Sequence, residues 1–479
     1  MTASPFPLGY SDASVHASRF LHIRFIPITF LTRISRRSPA DPKPARSIEP
    51  MKINIATRPQ RPLLIAFVLL TAGLLACAPS KSTRDLRATV ILISLDGFRY
   101  DYLEKYQPPN LLSLARDGVQ ARWMIPSFPS KTFPNHYTIA TGLYPQNHGI
   151  VENNIFDKGF NATFTMSNRD EVQNGRWWLG EPIWITAEKQ GQKTAPFFWP
   201  GSEAEIAGAR PTYWKPYDGK VPNNARVDTI LSRLDLPSIE RPTFLSLYFS
   251  DVDNAGHDFS PDAVETRDAV LEVDNDVGRL IDGLKARGIF AQVNLIIVSD
   301  HGMATQDPNN AIILDELVDT SLAERILWTS EIVSIFPRPG KEDAIYKTLK
   351  ARLPPQAKVY RKAEVPARFH YSNSPRIAPL LVLPEEGWTV TTRAKFDEAK
   401  ARNPNNALRG GHGYDNELPS MRAIFIAHGS AFKKGVVIEP FENVHVYNVM
   451  TGILGLRPAP NDGNDTIASA VLADDDPHH

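Results

Sequence analysis

The sequence predicts an α/β fold with a central, mostly parallel sheet flanked by helices, on three observations. From Thr89 onward, short β-branched apolar runs alternate with stretches of helical periodicity. Four of these runs, Thr89–Leu95, Thr243–Phe249, Leu295–Val298 and Ala423–Ala427, are bounded by polar residues or glycine and suit buried strands. Asp96, Asp253 and Asp300 come just after three of them, where an open α/β sheet gathers its ligands.

Taken in order, the chain starts with segments that read as targeting. Residues 1–50 precede a complete signal-type segment that has its own Met51, so they are expected to be an upstream extension from a start codon assigned too early. In residues 51–77, Lys52, Arg58 and Arg61 give a positive start, and Leu63 to Ala76 is an apolar run too short to span a bilayer comfortably. The run ends Leu74-Leu-Ala-Cys77, which resembles a bacterial lipoprotein box. Cys77 is then expected to carry lipid and hold an exported protein at the membrane, in the periplasm or at the outer membrane. It is the single cysteine of the chain, so no disulfide can form within it. Residues 78–88 read as a linker, and 89–479 as the folded domain.

Composition narrows the function. The chain has 479 residues, 42% hydrophobic and 22% charged, enough for one large domain or two. Residues 1–77 contain ten Lys or Arg and three Asp or Glu. The remainder holds 43 basic and 50 acidic residues, a net of −7. A mildly acidic protein is a poor binder of long nucleic acid.

Within the folded part, one helix is readable in detail. Ser260 is placed to cap it, Pro261 fits its first position, and Asp262 complements its dipole. Val270, Val273, Val277, Leu280, Ile281 and Leu284 then mark one face, and Gly288 ends it. Aromatic clusters at Trp177–Trp184 and Phe197–Gly201 read as core or pocket wall, core being the better reading. Residues 309–405, rich in Pro and charge, read as an inserted cap beside the site.

The chemistry lies in seven scattered residues: Asp96, Thr132, Asp253, His257, Asp300, His301 and His412. Carboxylates and imidazoles with one hydroxyl are what a hydrolytic zinc pair needs, and mixed oxygen and nitrogen donors suit Zn²⁺ better than Mg²⁺ or Ca²⁺. Asp253 and His257, four residues apart, share a face if that stretch is helical. Pro134 suggests that a helix starts near Thr132, whose dipole would favour negative charge there. A lone histidine is usually structural; seven such residues together are not.

These residues sit in five motifs: Leu95-Asp-Gly97, Lys131-Thr-Phe-Pro-Asn-His-Tyr-Thr138, Asp253-Asn-Ala-Gly-His257, Ser299-Asp-His-Gly-Met303 and Gly411-His-Gly413. In this order they resemble the nucleotide pyrophosphatase/phosphodiesterase family of the alkaline phosphatase superfamily, most closely its compact bacterial members. The resemblance covers essentially everything from Thr89 onward.

It implies an alkaline phosphatase-like fold and two Zn²⁺ per chain. One ion would be held by Asp96, Thr132, Asp300 and His301, the other by Asp253, His257 and His412. It implies that Thr132 is the nucleophile of a phosphodiester or pyrophosphate hydrolysis that gives a 5′-nucleoside monophosphate through a phospho-threonine. Asn153 would donate to a non-bridging phosphate oxygen, and Phe133 and Tyr248 would sandwich the base of a small nucleotide. His136 and His148 read as structural. Lys131 reads either as a phosphate contact or as an exposed lysine without one. The alternatives are a related hydrolase of monoesters, sulfate esters or lipid phosphodiesters, and a non-catalytic nucleotide-binding lipoprotein. The lack of a cysteine in the folded part weakens the sulfatase version, and the intact ligand set argues against the non-catalytic one.

Overall fold

The computed structural model describes residues 86–473. The upstream extension, the signal-type segment with Cys77 and the linker as far as residue 85 lie outside the described residues. Among the described residues, no helix is long and apolar enough to cross a membrane.

The central sheet has seven strands: β1 (Thr89–Leu95), β2 (Val119–Ala121), β3 (Thr194–Phe197), β4 (Phe244–Phe249), β5 (Val293–Val298), β6 (Phe425–His428) and β7 (Val436–Ile438). Their spatial order is β7-β2-β6-β5-β1-β4-β3. β1 runs parallel to both β4 and β5, β3 is parallel to β4, and β2 is parallel to β7. β6, the fourth run read from the sequence, is antiparallel to both its neighbours.

The inner strands are apolar throughout because both faces are covered. All seven residues of β1 are buried. Its period of two sends Val90 and Leu92 into one core, and Ile91, Ile93 and Leu95 into the other. The first core is packed by helices α2 (Thr132–Thr141) and α6 (Val446–Leu454) and holds Trp177, Trp178 and Trp184. On the opposite face lie α1 (Pro109–Asp117), α3 (Asn223–Leu234) and α5 (Val264–Ala286). The short α4 (Asp251–Phe259) follows β4 directly.

Helix α5 buries the expected face from Val270 to Leu284, and Gly288 follows its end at a φ of 68°. Its start differs from the sequence reading. It begins at Val264, with Ala263 at the cap. Ser260 instead closes α4, at a φ of 85°, and its N–H donates to the Gly256 carbonyl at 2.8 Å. Asp262 pairs with Arg99 and Lys105. Two helices abut here, so the Ser-Pro-Asp signature forms the turn between them.

Residues 309–405 carry a second sheet, antiparallel, of strands Ala323–Trp328, Val333–Pro337, Leu380–Pro384 and Ala357–Arg361 in that order. Alternation again assigns the faces. Val333, Ile335, Leu380 and Val382 pack with Ile345 and Leu349 of the helix Glu342–Arg352, whereas Phe336 and Leu381 join the first core of the body.

Candidate active site

Because β5, β1 and β4 are adjacent and parallel, the residues after their carboxyl ends share one edge. Asp96 follows β1, Asp300 follows β5 by one residue, and Asp253 lies in the first turn of α4, just past β4. Asp96 and Asp300 are fully buried. The backbone N–H of Gly97 donates to Asp300 Oδ1 at 3.2 Å, and the Tyr248 hydroxyl donates to Asp96 Oδ2 at 2.7 Å. One oxygen of each acid remains without a hydrogen-bond partner: Asp96 Oδ1, Asp253 Oδ1 and Asp300 Oδ2.

Three histidines turn their Nε2 atoms toward these oxygens. His301 Nε2 lies 2.9 Å from Asp300 and 3.6 Å from Asp96. His412 and His257 lie 3.6 Å and 3.5 Å from Asp253. Each Nδ1 is within hydrogen-bond distance of a backbone carbonyl: Gly302 for His301, Ser130 for His412 and Gly410 for His257, at 2.8, 2.8 and 2.9 Å. With its Nδ1–H so donated, each ring presents an Nε2 lone pair, the tautomer a metal ligand needs. The Nε2 atoms of His257 and His412 are only 3.1 Å apart. Two lone pairs that close repel unless a cation lies among them.

Asp253, His301 and His412 bring ligand atoms within 4.8 Å of one another, and so do Asp96, His136 and Asp300. His136 is committed elsewhere. Its Nδ1 reaches the Thr132 carbonyl at 2.8 Å and its Nε2 the Ser94 hydroxyl at 2.7 Å. It supports Asp300 at 3.4 Å as a neighbour. His301, stacked on His412 with ring centroids 3.6 Å apart, sits between the two sets.

Thr132 opens α2, with Lys131 at the cap, and its Oγ1 lies 3.3 Å from His301 Nε2. The helix dipole favours an anion at this hydroxyl, although of the first-turn amides Phe133 is given to Asn153, Pro134 has no N–H and Asn135 bonds the Lys131 carbonyl. The other local hydroxyls are bonded inward: Ser127 to Asn443, Ser130 to the Tyr414 carbonyl, and Thr138 to His148. Asn153 is tied to the same helix end, its Oδ1 accepting the Phe133 N–H at 2.9 Å, which leaves its amide N–H groups for another partner.

Lys131 is neither an exposed lysine nor free to meet a phosphate. It is buried, with Nζ 2.5 Å from Glu331 on the second sheet's side, and Gln306 donates to the other oxygen of Glu331. Sequence reasoning missed this pair because Glu331 is 200 residues away and belongs to no motif.

A cavity of about 420 Å³ opens on the cluster. Asp96, Thr132 and Asp253 form its floor, while Phe133 and Tyr248 stand among its walls with Phe198 and Trp199. Of the two readings for the cluster Phe197–Gly201, core and pocket wall, both hold in part: Phe198 and Trp199 are buried and also line the cavity.

Electrostatics describe an anionic, dehydrated floor. Burial first, then the charges of Asp300 and Asp253, push the Asp96 carboxyl well above the usual carboxylate range. Burial acts on Asp300 in the same sense, but the adjacent His301 and His136 outweigh it and hold that carboxyl low. Burial, followed by His301 and Lys131, depresses His412. Orphaned buried oxygens, converging imidazole lone pairs and repelling carboxylates all fit bound cations.

Residues 90–415 match the family model described as type I phosphodiesterase / nucleotide pyrophosphatase. An uncharacterized pyrophosphatase/phosphodiesterase of Schizosaccharomyces pombe is 43% identical over 401 residues, covering 80% of this chain and 80% of that one. A venom phosphodiesterase of Crotalus durissus collilineatus is 40% identical over 401 residues, covering 81% of this chain and 47% of its own, so the chain spans about half the length of that relative. The solved structure of murine ectonucleotide pyrophosphatase/phosphodiesterase 5 matches with a TM-score of 0.75 at 33% identity, covering 80% of this chain and 100% of that one. An inactive variant of the murine protein, solved in complex with AMP, matches with the same TM-score. The chain belongs to the type I phosphodiesterase/nucleotide pyrophosphatase family of hydrolases and has that family's alkaline phosphatase-like α/β fold.

Proposed function

We propose that the chain hydrolyses small nucleotide phosphodiesters or pyrophosphates to 5′-nucleoside monophosphates, with Thr132 as nucleophile and two zinc ions as cofactors. One observation carries the reading: the cavity-lining hydroxyl of Thr132 sits at a helix N-terminus against a floor of orphaned carboxylate oxygens and imidazole nitrogens. The AMP complex of the murine relative supports a nucleotide as substrate or product.

Asp96, Thr132, Asp300 and His301 would hold one zinc, and Asp253, His257 and His412 the other. Bound there, the ions supply positive charge that acidifies the attacking hydroxyl and offsets charge on the departing oxygen. Thr132 Oγ1 attacks phosphorus as the bond to the leaving oxygen breaks, giving a phospho-threonine that water then cleaves. The dipole of α2 and the Asn153 amide stabilise charge on the phosphoryl oxygens in the transition state. Tyr248 keeps Asp96 oriented through its hydroxyl while its ring faces the base across from Phe133.

The test joins metal content to turnover. Two zinc ions per chain, together with hydrolysis of a nitrophenyl ester of a nucleoside monophosphate, support the reading; a metal-free protein inert on that ester refutes it. We further place the mature protein at the bacterial membrane through lipid on Cys77. A mature N-terminal peptide lacking a lipid-modified Cys77 in mass spectrometry would remove that part alone.

A further inference from the structure

Residues 309–405 have no part in the proposed reaction, yet one of their side chains reaches the site. Glu331 sits two positions ahead of the strand Val333–Pro337 and is the only buried acid among the described residues of that region. Its two oxygens serve different partners. Oε2 lies 2.5 Å from Lys131 Nζ, in a pair whose side chains are only 7% and 8% exposed, and Oε1 accepts from Gln306 Nε2 at 2.6 Å. Gln306 Nε2 also donates to the Tyr414 hydroxyl at 2.8 Å. The two side chains so held lie over the glycines that flank His412. A Cβ on Gly411 would collide with the Gln306 amide, and one on Gly413 with the stem of Lys131, so only glycine permits this approach.

The same residues lead to the nucleophile. Lys131 caps α2 immediately before Thr132. Ser130, one position earlier, meets His412 Nδ1 through its carbonyl at 2.8 Å and donates its hydroxyl to the Tyr414 carbonyl at 3.2 Å. We infer that Glu331 is a positioning residue: through Gln306 and Lys131 it clamps the His412 segment to the start of α2, holding a metal-ligating imidazole and the attacking hydroxyl in one geometry. The inserted region thereby contributes to turnover from outside the nucleotide cavity, which Glu331 does not line. Its charge matters as well as its reach. An ammonium over Gly413 opposes a cation at the neighbouring imidazole, and the Glu331 carboxylate offsets that charge in a place where water cannot. Groups that orient a ligand from behind affect metal affinity and activity nearly as strongly as the ligands do. The inference rests on the two-zinc reading of the site and adds what fixes one of its ligands.

The experiment measures three quantities on the full chain: zinc affinity by competition with a chromogenic chelator, kcat and KM on the 4-nitrophenyl ester of AMP at saturating zinc, and melting temperature. Glu331→Gln is expected to weaken one of the two zinc ions by roughly 10–100-fold and to lower kcat by a similar factor, with KM nearly unchanged. Gln306→Leu, which leaves Lys131 and Glu331 paired, is expected to act in the same direction to a smaller extent. Replacing the pair by apolar residues, Lys131→Met with Glu331→Met, removes the buried charges and the tether together. Melting temperature should then return toward that of the wild type while zinc affinity and kcat stay low. Recovery of all three in the double variant would make the pair a packing element alone and overturn the inference. So would unchanged zinc affinity and kcat in Glu331→Gln. If Glu331→Gln does not fold, Gln306→Leu and the double variant decide. Failure of the two-zinc reading looks different: the wild-type protein itself then binds no second ion.

Discussion

The divide between chemistry and recognition falls between neighbouring residues, Thr132 and Phe133. The hydroxyl of Thr132 lies among ligand atoms, whereas the Phe133 ring packs toward Trp178 and Phe164 and lines the cavity. Thr132→Ala should therefore lower turnover by at least about 10³-fold while zinc content stays near that of the wild type, since six other ligands remain. Near-normal turnover would remove Thr132 from the nucleophile's role. Phe133→Ala should act on binding of the nucleoside part, costing roughly 1–3 kcal/mol in kcat/KM for nucleotide diesters and little for a base-free ester. Tyr248→Ala should cost as much again and also affect catalysis, because it removes the donor to Asp96 Oδ2. A diester should also be preferred over an equally activated monoester, whose extra charge meets few donors beyond Asn153. That the seven candidate residues gather in one place was legible in the sequence, because metal chemistry restricts residue type and the strand ends restrict place. The Lys131–Glu331 pair was not, since it joins residues 200 positions apart.

At the scale of elements, the inner strands were legible because burial on both faces forces a continuous apolar run, as in β1 and β5. The direction of β6 was not, because its residues alternate between the same two cores whichever way the strand runs. Caps were the least legible, as Ser260 shows. Helix α2 deserves a separate test because it carries the proposed nucleophile and is held from behind by a buried histidine. His148 Nδ1 accepts the Ile150 N–H at 3.2 Å, and its Nε2 meets the Thr138 hydroxyl at 3.0 Å. Burial pushes this imidazole down to about 3, from an ordinary value of 6.5. The unfolded chain thus binds a proton that the folded one refuses between those values. The stabilisation is complete above about pH 6.5 and is lost as pH falls toward 3, at up to roughly 1.4 kcal/mol per pH unit. The urea midpoint should fall steadily from pH 7 to pH 4. His148→Gln, which can still donate and accept, should flatten part of that slope. An identical slope in the variant would show that His148 is not its source.

For the whole molecule, the site works as a clasp. Its ligands come from the ends of β1, β4 and β5, from the start of α2 and from the segment after the strand Arg409–Gly411, positions 96 to 412 of the chain. That strand is paired to Ala304–Gln306, which leads from the Asp300 motif toward the second sheet. Without cations, this convergence concentrates like charge in a dry place and opposes the packing of the two cores around it. With cations, the same groups tie distant parts of the fold together. Metal binding should therefore contribute to folding as well as to turnover, because the unfolded chain offers no preformed site. Removing zinc with a chelator should lower the melting temperature by several degrees along with the loss of activity. Saturation to about a thousand times Kd corresponds to about 4 kcal/mol. Adding zinc back should restore both, and magnesium alone should restore neither, given the imidazole share of the ligands. A melting temperature indifferent to chelation, in a protein shown to have lost its metal, would mean that the floor tolerates its own repulsion and that the clasp is not structural.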